Sequence, residues 1–128
     1  MAGLHHLALR VDDLERAAAF YAGLLGLREL RRHVDEDGAL RAIWLDLGGD
    51  PEDRRAPILM LERALRGAGA AAGSAHVLAL AVDDLAAVAR RLEDAGVTID
   101  DRTAFTLFVR DPDGHRVGLS IFDLERAR

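Results

Sequence analysis

The chain has no cysteine. That excludes disulfides, zinc–thiolate sites and a cysteine nucleophile. It has no lysine either, since all 17 basic residues are arginine, so a lysine Schiff base is ruled out. Asparagine and glutamine are also absent. A GC-rich genome accounts for this bias. Selection against heat-labile amides is a second reading, although loss of lysine is not the usual thermophile pattern. No apolar run approaches the ~18–20 residues that span a bilayer. The chain runs directly into a strand-like segment, without the basic, apolar and cleavage regions of a secretory leader. A cytoplasmic location is therefore expected. No long basic stripe offsets the formal net charge of −5, so nucleic-acid backbone binding is not expected. Gly67, Gly69 and Gly73 lack the preceding strand and following helix of a phosphate-cradling loop. The hydroxyl residues Ser74, Thr98, Thr103, Thr106 and Ser120 sit in no evident nucleophile elbow.

What is present is a repeat. The run Leu4-His5-His6-Leu7-Ala8-Leu9-Arg10-Val11-Asp12-Asp13-Leu14 returns without a gap as Ala75-His76-Val77-Leu78-Ala79-Leu80-Ala81-Val82-Asp83-Asp84-Leu85. One small unit has been built twice within 128 residues, half of them hydrophobic, which is enough for one domain with a real core.

Each copy opens on strand-like alternation. Leu7, Leu9 and Val11 point one way, and His6, Ala8 and Arg10 the other. Asp12 or Asp13, and in the second copy Asp83 or Asp84, then serves as a helix cap. The stripe Leu14, Ala17, Ala18, Tyr21, Leu24, Leu25 has helical spacing, as does Leu85, Val88, Ala89, Leu92. Gly26 and Gly96 follow as helix-ending residues. The spacing predicts helices near 13–25 and 84–95, and first strands at 4–11 and 75–82. Three further strands are predicted in each copy, at 27–34, 39–47 and 57–63, and at 97–101, 104–110 and 115–122. Asp111-Pro112-Asp113-Gly114 is the turn before the last strand. The expected organisation is a first module at 1–66, a Gly- and Ala-rich linker at 67–74 and a second module at 75–128. The fold class is α+β, with two tandem βαβββ modules. One helix covers one face of four strands, and the other face needs a partner. The expectation is a curved mixed sheet around a cleft, with the helices outside.

This pattern resembles the vicinal oxygen chelate superfamily, which includes glyoxalase I, extradiol dioxygenases, and fosfomycin- and bleomycin-resistance proteins. The resemblance rests on His6 to Leu14 leading to Phe20-Tyr21 and Leu24-Leu25-Gly26-Leu27. It rests also on Phe108-Val109-Arg110-Asp111-Pro112-Asp113-Gly114-His115-Arg116. It implies one divalent ion, held by His and Glu residues on the first and last strands of each module. His6 matches the first ligand position, and the equivalent place in the second module is Val77. His76 stands one residue early, so alternation turns it to the other face unless a β-bulge rotates it back. The glutamate of the first module's last strand falls near Met60, with Glu62 two residues on; that of the second falls on Gly118. A lone imidazole holds a divalent ion weakly. No cofactor is therefore expected, with His6, Glu62 and His76 the candidates should a metal bind.

The candidate ligand-binding residues are His6, Arg10, Trp44, Met60, Glu62, Arg116 and Ser120. His6 reads either as a cleft hydrogen-bonding group or as a satisfied histidine. Trp44 alternates with Ile43 and Leu45, so it is an aromatic wall of the cleft or a packing residue at the module interface. Arg10 and Arg116 are the candidates to clamp an anionic group; each reads alternatively as an exposed strand arginine. The leading expectation is metal-independent binding of a small amphipathic or aromatic molecule. The alternative is a metal-dependent lyase, isomerase or dioxygenase with a shifted ligand set. An interaction module without a ligand is a third reading. A homodimer is expected, with no nucleic-acid or membrane partner.

Overall fold

The computed structural model describes residues 4–65 and 76–127. The expected linker, 67–74, lies outside them. The chain divides into two compact units, 1–70 and 71–128.

The first unit runs β1 (His6–Arg10), α1 (Leu14–Ala18), a π-helical turn (Ala19–Leu24), β2 (Glu29–Val34), β3 (Leu40–Asp46) and β4 (Ile58–Glu62). Its sheet has the order β1-β4-β3-β2, with β1 parallel to β4 and the other pairs antiparallel. The second unit runs β5 (Leu78–Ala81), α2 (Leu85–Asp94), β6 (Asp101–Arg102), β7 (Thr106–Arg110) and β8 (Arg116–Ser120). Its order, β5-β8-β7-β6, is the same once renumbered. Both units are βαβββ, as the repeat requires.

Each helix lies on one face of its own sheet. In the first unit Leu9, Val11, Ile43, Leu45, Leu59 and Leu61 are buried together with Leu14, Ala17, Ala18 and Tyr21, and α1 packs on β3 and β4. In the second, Leu107, Val109, Val117 and Leu119 are buried with Ala89 and Leu92. The caps repeat as well. Asp13 accepts from the Arg16 N–H at 3.1 Å, and Asp84 from the Ala87 N–H at 3.0 Å. In each acidic pair the second member caps, while Asp12 pairs with Arg10 instead. Asp84→Ala should cost about 0.5–2 kcal/mol of stability, and Asp83→Ala about 0.5 kcal/mol or less. Paired urea melts check the difference; equal losses would mean that the cap is not what starts α2.

The clearest departures from the sequence expectation lie in the first helix and in β6. The helix predicted over 13–25 widens after Ala18, and the Leu25 N–H reaches the Phe20 carbonyl five residues back, at 3.1 Å. The wider turn reduces the angle between neighbouring residues. Phe20 thereby joins Tyr21 in the core, edge-on with ring centroids 5.0 Å apart. Sequence spacing at strict α-helical period leaves Phe20 off the stripe. The second departure is β6, predicted at 97–101 and found at Asp101–Arg102. Gly96 takes φ +79° and the Val97 N–H turns back to the Leu92 carbonyl at 2.9 Å. That helix-closing bond uses the donor with which a strand would begin. The same closure, Leu27 N–H to Tyr21 carbonyl at 3.0 Å, delays β2 to Glu29.

Candidate functional site

The register of the first sheet sorts its second face, away from α1, into rows. His6, Ile58 and Asp46 form one row. Ala8, Met60, Trp44 and Arg31 form the next. Arg10, Glu62, Ala42 and His33 form the third. The opposite face carries Leu7, Leu9, Leu59, Leu61, Ile43 and Leu45; Ile43 and Leu45 are fully buried there, whereas Trp44 between them is only part-buried. Arg32 falls on the helix side and pairs with Glu15 of α1 and with Glu29. Hydrogen bonding to Glu15 first, and then Glu29, holds the Arg32 guanidinium above its ordinary pKa, so it stays charged at every working pH and supplies no switch.

Trp44 is the centre of the face. Its indole lies against the His33 ring, centroids 4.2 Å apart and planes tilted by 54°, and its Nε1–H points to Glu62 Oε1 at 3.5 Å. Met60 is its register partner. His33 was not singled out from sequence, although its alternation with Arg31 along β2 puts it beside Trp44. Its Nε2 is buried without a hydrogen-bond partner among the described residues.

The candidates taken from the sequence do not all come together. His6 is exposed, with its Nδ1 2.9 Å from that of His5. Glu62 pairs in register with Arg10, four positions along β1 from His6. At ~3.3 Å per residue the two backbones stand roughly 13 Å apart along the strands, and Met60 occupies the nearer row. Arg10 is exposed and pairs with Asp12 at 2.8 Å. In the second unit the Arg116 guanidinium lies over the Phe108 ring, 4.3 Å from its centroid. The Ser120 hydroxyl accepts from Thr106 at 2.8 Å and from the Phe122 N–H at 3.1 Å, and donates to the Phe105 carbonyl at 3.3 Å. Those bonds tie the end of β8 to the turn before β7. His76 is exposed and precedes β5.

The positions that the resemblance assigns to metal ligands thus carry His6, Met60, Val77 and Gly118. One imidazole and one thioether do not fit a divalent ion that favours nitrogen and carboxylate donors. No cluster of three or more His, Asp or Glu side chains suited to a metal exists among the described residues.

Gly118 is open to a side chain: a Cβ there would meet Phe108, Ala79 and Thr106 only at 3.4–3.5 Å. Gly48 is the contrary case. A Cβ there would lie 2.2 Å from the Ala56 Cβ, so the loop between β3 and β4 closes only because position 48 has no side chain. Gly48→Ala should cost about 1–3 kcal/mol through overpacking, and Ala56→Gly on that background should recover most of it. Urea melts of the single and double variants read this. An absence of rescue would show that the contact is not the cause.

The match of the whole chain to known proteins agrees with its topology. Residues 3–119 match the model of the Glyoxalase/Bleomycin resistance protein/Dioxygenase superfamily. A lactoylglutathione lyase of Salmonella typhimurium is 30% identical over 124 residues, covering 91% of this chain and 90% of that one. An antibiotic-binding protein, TnmS3 from Streptomyces sp. CB03234, superposes with a TM-score of 0.68 at 24% identity, over 94% of this chain and 95% of that chain. The fosfomycin resistance protein FosX from Listeria monocytogenes, in a mutant form complexed with Mn(II), superposes with a TM-score of 0.73 at 20% identity, over 99% and 98% of the two chains. The chain belongs to the Glyoxalase/Bleomycin resistance protein/Dioxygenase superfamily.

Proposed function

We propose that this chain is a binding protein, taking up a small amphipathic or aromatic molecule without a metal ion on the Trp44 face of its first unit. Trp44 and Met60 supply the apolar wall, and His6, Arg10 and Glu62 the polar contacts around it. On the second unit, Arg116 and Ser120 are the candidates for an anionic and a hydrogen-bonding group. The observation that carries the reading is the row occupied by Met60. It puts a thioether beside the His6 row and moves Glu62, the carboxylate of that strand, a full row further on. Asp46 shares the His6 row but is held by Arg28 at 2.9 Å and by the Gly48 N–H at 2.7 Å. Sequestration needs only a shaped, water-excluding surface.

A second reading has its own support in the 30% identity to a lactoylglutathione lyase. It makes the chain a metal-dependent lyase, isomerase or dioxygenase with a shifted ligand set. The two are separated by metal analysis of protein purified without chelators, and by melting curves with micromolar Ni or Zn. A ligand at 100 times its Kd adds about 2.7 kcal/mol to the native state, so a real site is easily seen. The expected result is no bound metal, and no metal-induced rise in Tm for the wild type or His6→Ala. A rise of many degrees in the wild type, lost in His6→Ala, would establish the second reading.

The homodimer and the cytoplasmic location expected from sequence belong to the same proposal. No helix among the described residues is long and apolar enough to cross a membrane. Sedimentation that found only monomer at high micromolar concentration would remove the dimer.

A further inference from the structure

The first unit contains a cavity at the His6-row end of the Trp44 face, lined by none of the residues proposed above to bind a ligand there. Its volume is about 290 Å³, and it is lined by Arg28, Leu30, Asp46, Pro51, Asp53, Arg54, Ala56 and Ile58. Asp46 and Ile58 are register partners on β3 and β4 and form its floor. Leu30 enters from β2, where the pairing with β3 slips between Glu29 and Arg31 and leaves this leucine 40% exposed. The loop between β3 and β4 supplies the rest.

That loop is built rather than loose. The Leu47 N–H bonds the Pro57 carbonyl at 2.9 Å and closes its neck. Asp46 Oδ1 accepts from Gly48 N–H, Asp50 Oδ1 from Glu52 N–H and Asp53 Oδ1 from Arg55 N–H, at 2.7, 2.9 and 3.0 Å. The Ala56 methyl fills the space over Gly48. The loop backbone that carries these side chains is therefore held in place, which lowers the ordering cost of binding.

Its charges fall into two classes. Arg28 and the buried Asp46 neutralise each other in the floor, at 2.9 Å. Arg54 and Asp53 do not. Among the described residues Arg54 has no carboxylate partner, and the Asp53 carboxylate has no cation, only the Arg55 backbone N–H. One cation and one anion are thus left at adjacent positions of the rim, above an apolar patch of Leu30, Pro51, Ala56 and Ile58. A simple anion in this cavity would face Asp53, and a simple cation would face Arg54. A ligand with both charges faces neither penalty.

We propose that this cavity binds a small amphiphilic zwitterion, with the size and charge pattern of a free branched-chain α-amino acid. Arg54 takes the carboxylate, Asp53 takes the ammonium, and the branched chain lies on Leu30, Ala56 and Ile58. The volume sits just under the ~300–1,000 Å³ of drug-sized sites, which suits a ligand of this size. The site adjoins the Trp44–Met60 row but shares no lining residue with the set proposed to bind there.

The test uses the full chain, isotopically labelled, with amide resonances followed by NMR during three titrations. L-leucine carries both charges, 4-methylpentanoate lacks the ammonium, and 3-methylbutylamine lacks the carboxylate. The expected result is saturable shifts for L-leucine, centred on residues 51–58 and Leu30, with at least tenfold weaker binding of the other two. Arg54→Gln and Asp53→Asn, both at exposed loop positions, should each weaken L-leucine at least tenfold. Arg54→Gln should leave 3-methylbutylamine as it was, and Asp53→Asn should do the same for 4-methylpentanoate. No shift in the loop with L-leucine, equal binding of all three compounds, or variants that bind L-leucine within twofold of wild type would each overturn the proposal.

Discussion

Tyr21→Ala should lower the unfolding free energy by about 3–5 kcal/mol, the usual range for deleting a fully buried aromatic ring. Tyr21 has no exposed surface, and it lies edge-on to Phe20, itself 4% exposed. The substitution leaves a ring-sized void between the π-helical turn and the sheet, and the surrounding groups lose contacts they cannot replace. The comparison is Phe105→Ala. Phe105 also makes an edge-on aromatic contact, to Phe122 at 5.5 Å, but is 46% exposed, so it should cost about 1 kcal/mol or less. Urea melts of the two variants give the contrast directly. Similar losses would mean that the wide turn after Ala18 does not seat Tyr21 as described, because only a buried ring leaves a void when it is removed.

The same pair of residues shows how far the sequence could be read. The duplication, the two caps and the two closing glycines depend on local chemistry, and each was legible. An acidic pair before each apolar stripe announced a cap, and the structure settles which member serves: Asp13 and Asp84, each bonding the N–H three residues on. Gly26 and Gly96 both take φ +79° because the helix must end in a left-handed residue. Asp111 and Gly114 likewise form the turn their order implies, with Asp111 accepting from the N–H groups of Asp113 and His115. The widening of the first helix was not legible. Inserting an extra residue in a turn is decided by what Phe20 and Tyr21 meet in the core, and a fixed period cannot express it. The displacement of β6 has the same character, since it depends on whether Val97 closes a helix or opens a strand.

The site divides along the same line. Alternation alone put Trp44 on the face away from Ile43 and Leu45, and the register places it there. Alternation did not fix how far along that face each group stands. Glu62 shares parity with Met60, so a sequence reading leaves open that it reaches back toward His6; the pairing of Glu62 with Arg10 measures the gap. His33 and the Arg28–Asp46 pair needed still more. The irregular pairing of β2 with β3 decides which residues of β2 face Trp44 and which face the cavity, and no spacing in the chain announces such a slip.

Trp44→Ala should weaken an aromatic ligand of this face by at least tenfold, about 1.4 kcal/mol, and a central aromatic anchor commonly gives ~2 kcal/mol or more. The ring is only part-buried, so one side is left for a ligand while the other rests on His33. It is also the only tryptophan in the chain. A ligand found by thermal-shift screening that stacks on it should therefore change the protein's fluorescence in step with binding. Loss of binding in the alanine variant has a trivial cause if the sheet loosens, because Trp44 also touches Glu62 and pairs with Met60. Trp44→Phe separates the two. It keeps a flat ring at the same place, so it should retain most of the affinity while losing the fluorescence signal. An anionic group on the ligand adds a second anchor: truncating Arg10, on the same sheet face, should cost ~2–5 kcal/mol if the contact is buried. A screened ligand that binds Trp44→Ala as tightly as wild type, with both proteins melting alike, would mean that binding happens elsewhere and that this face is a packing surface.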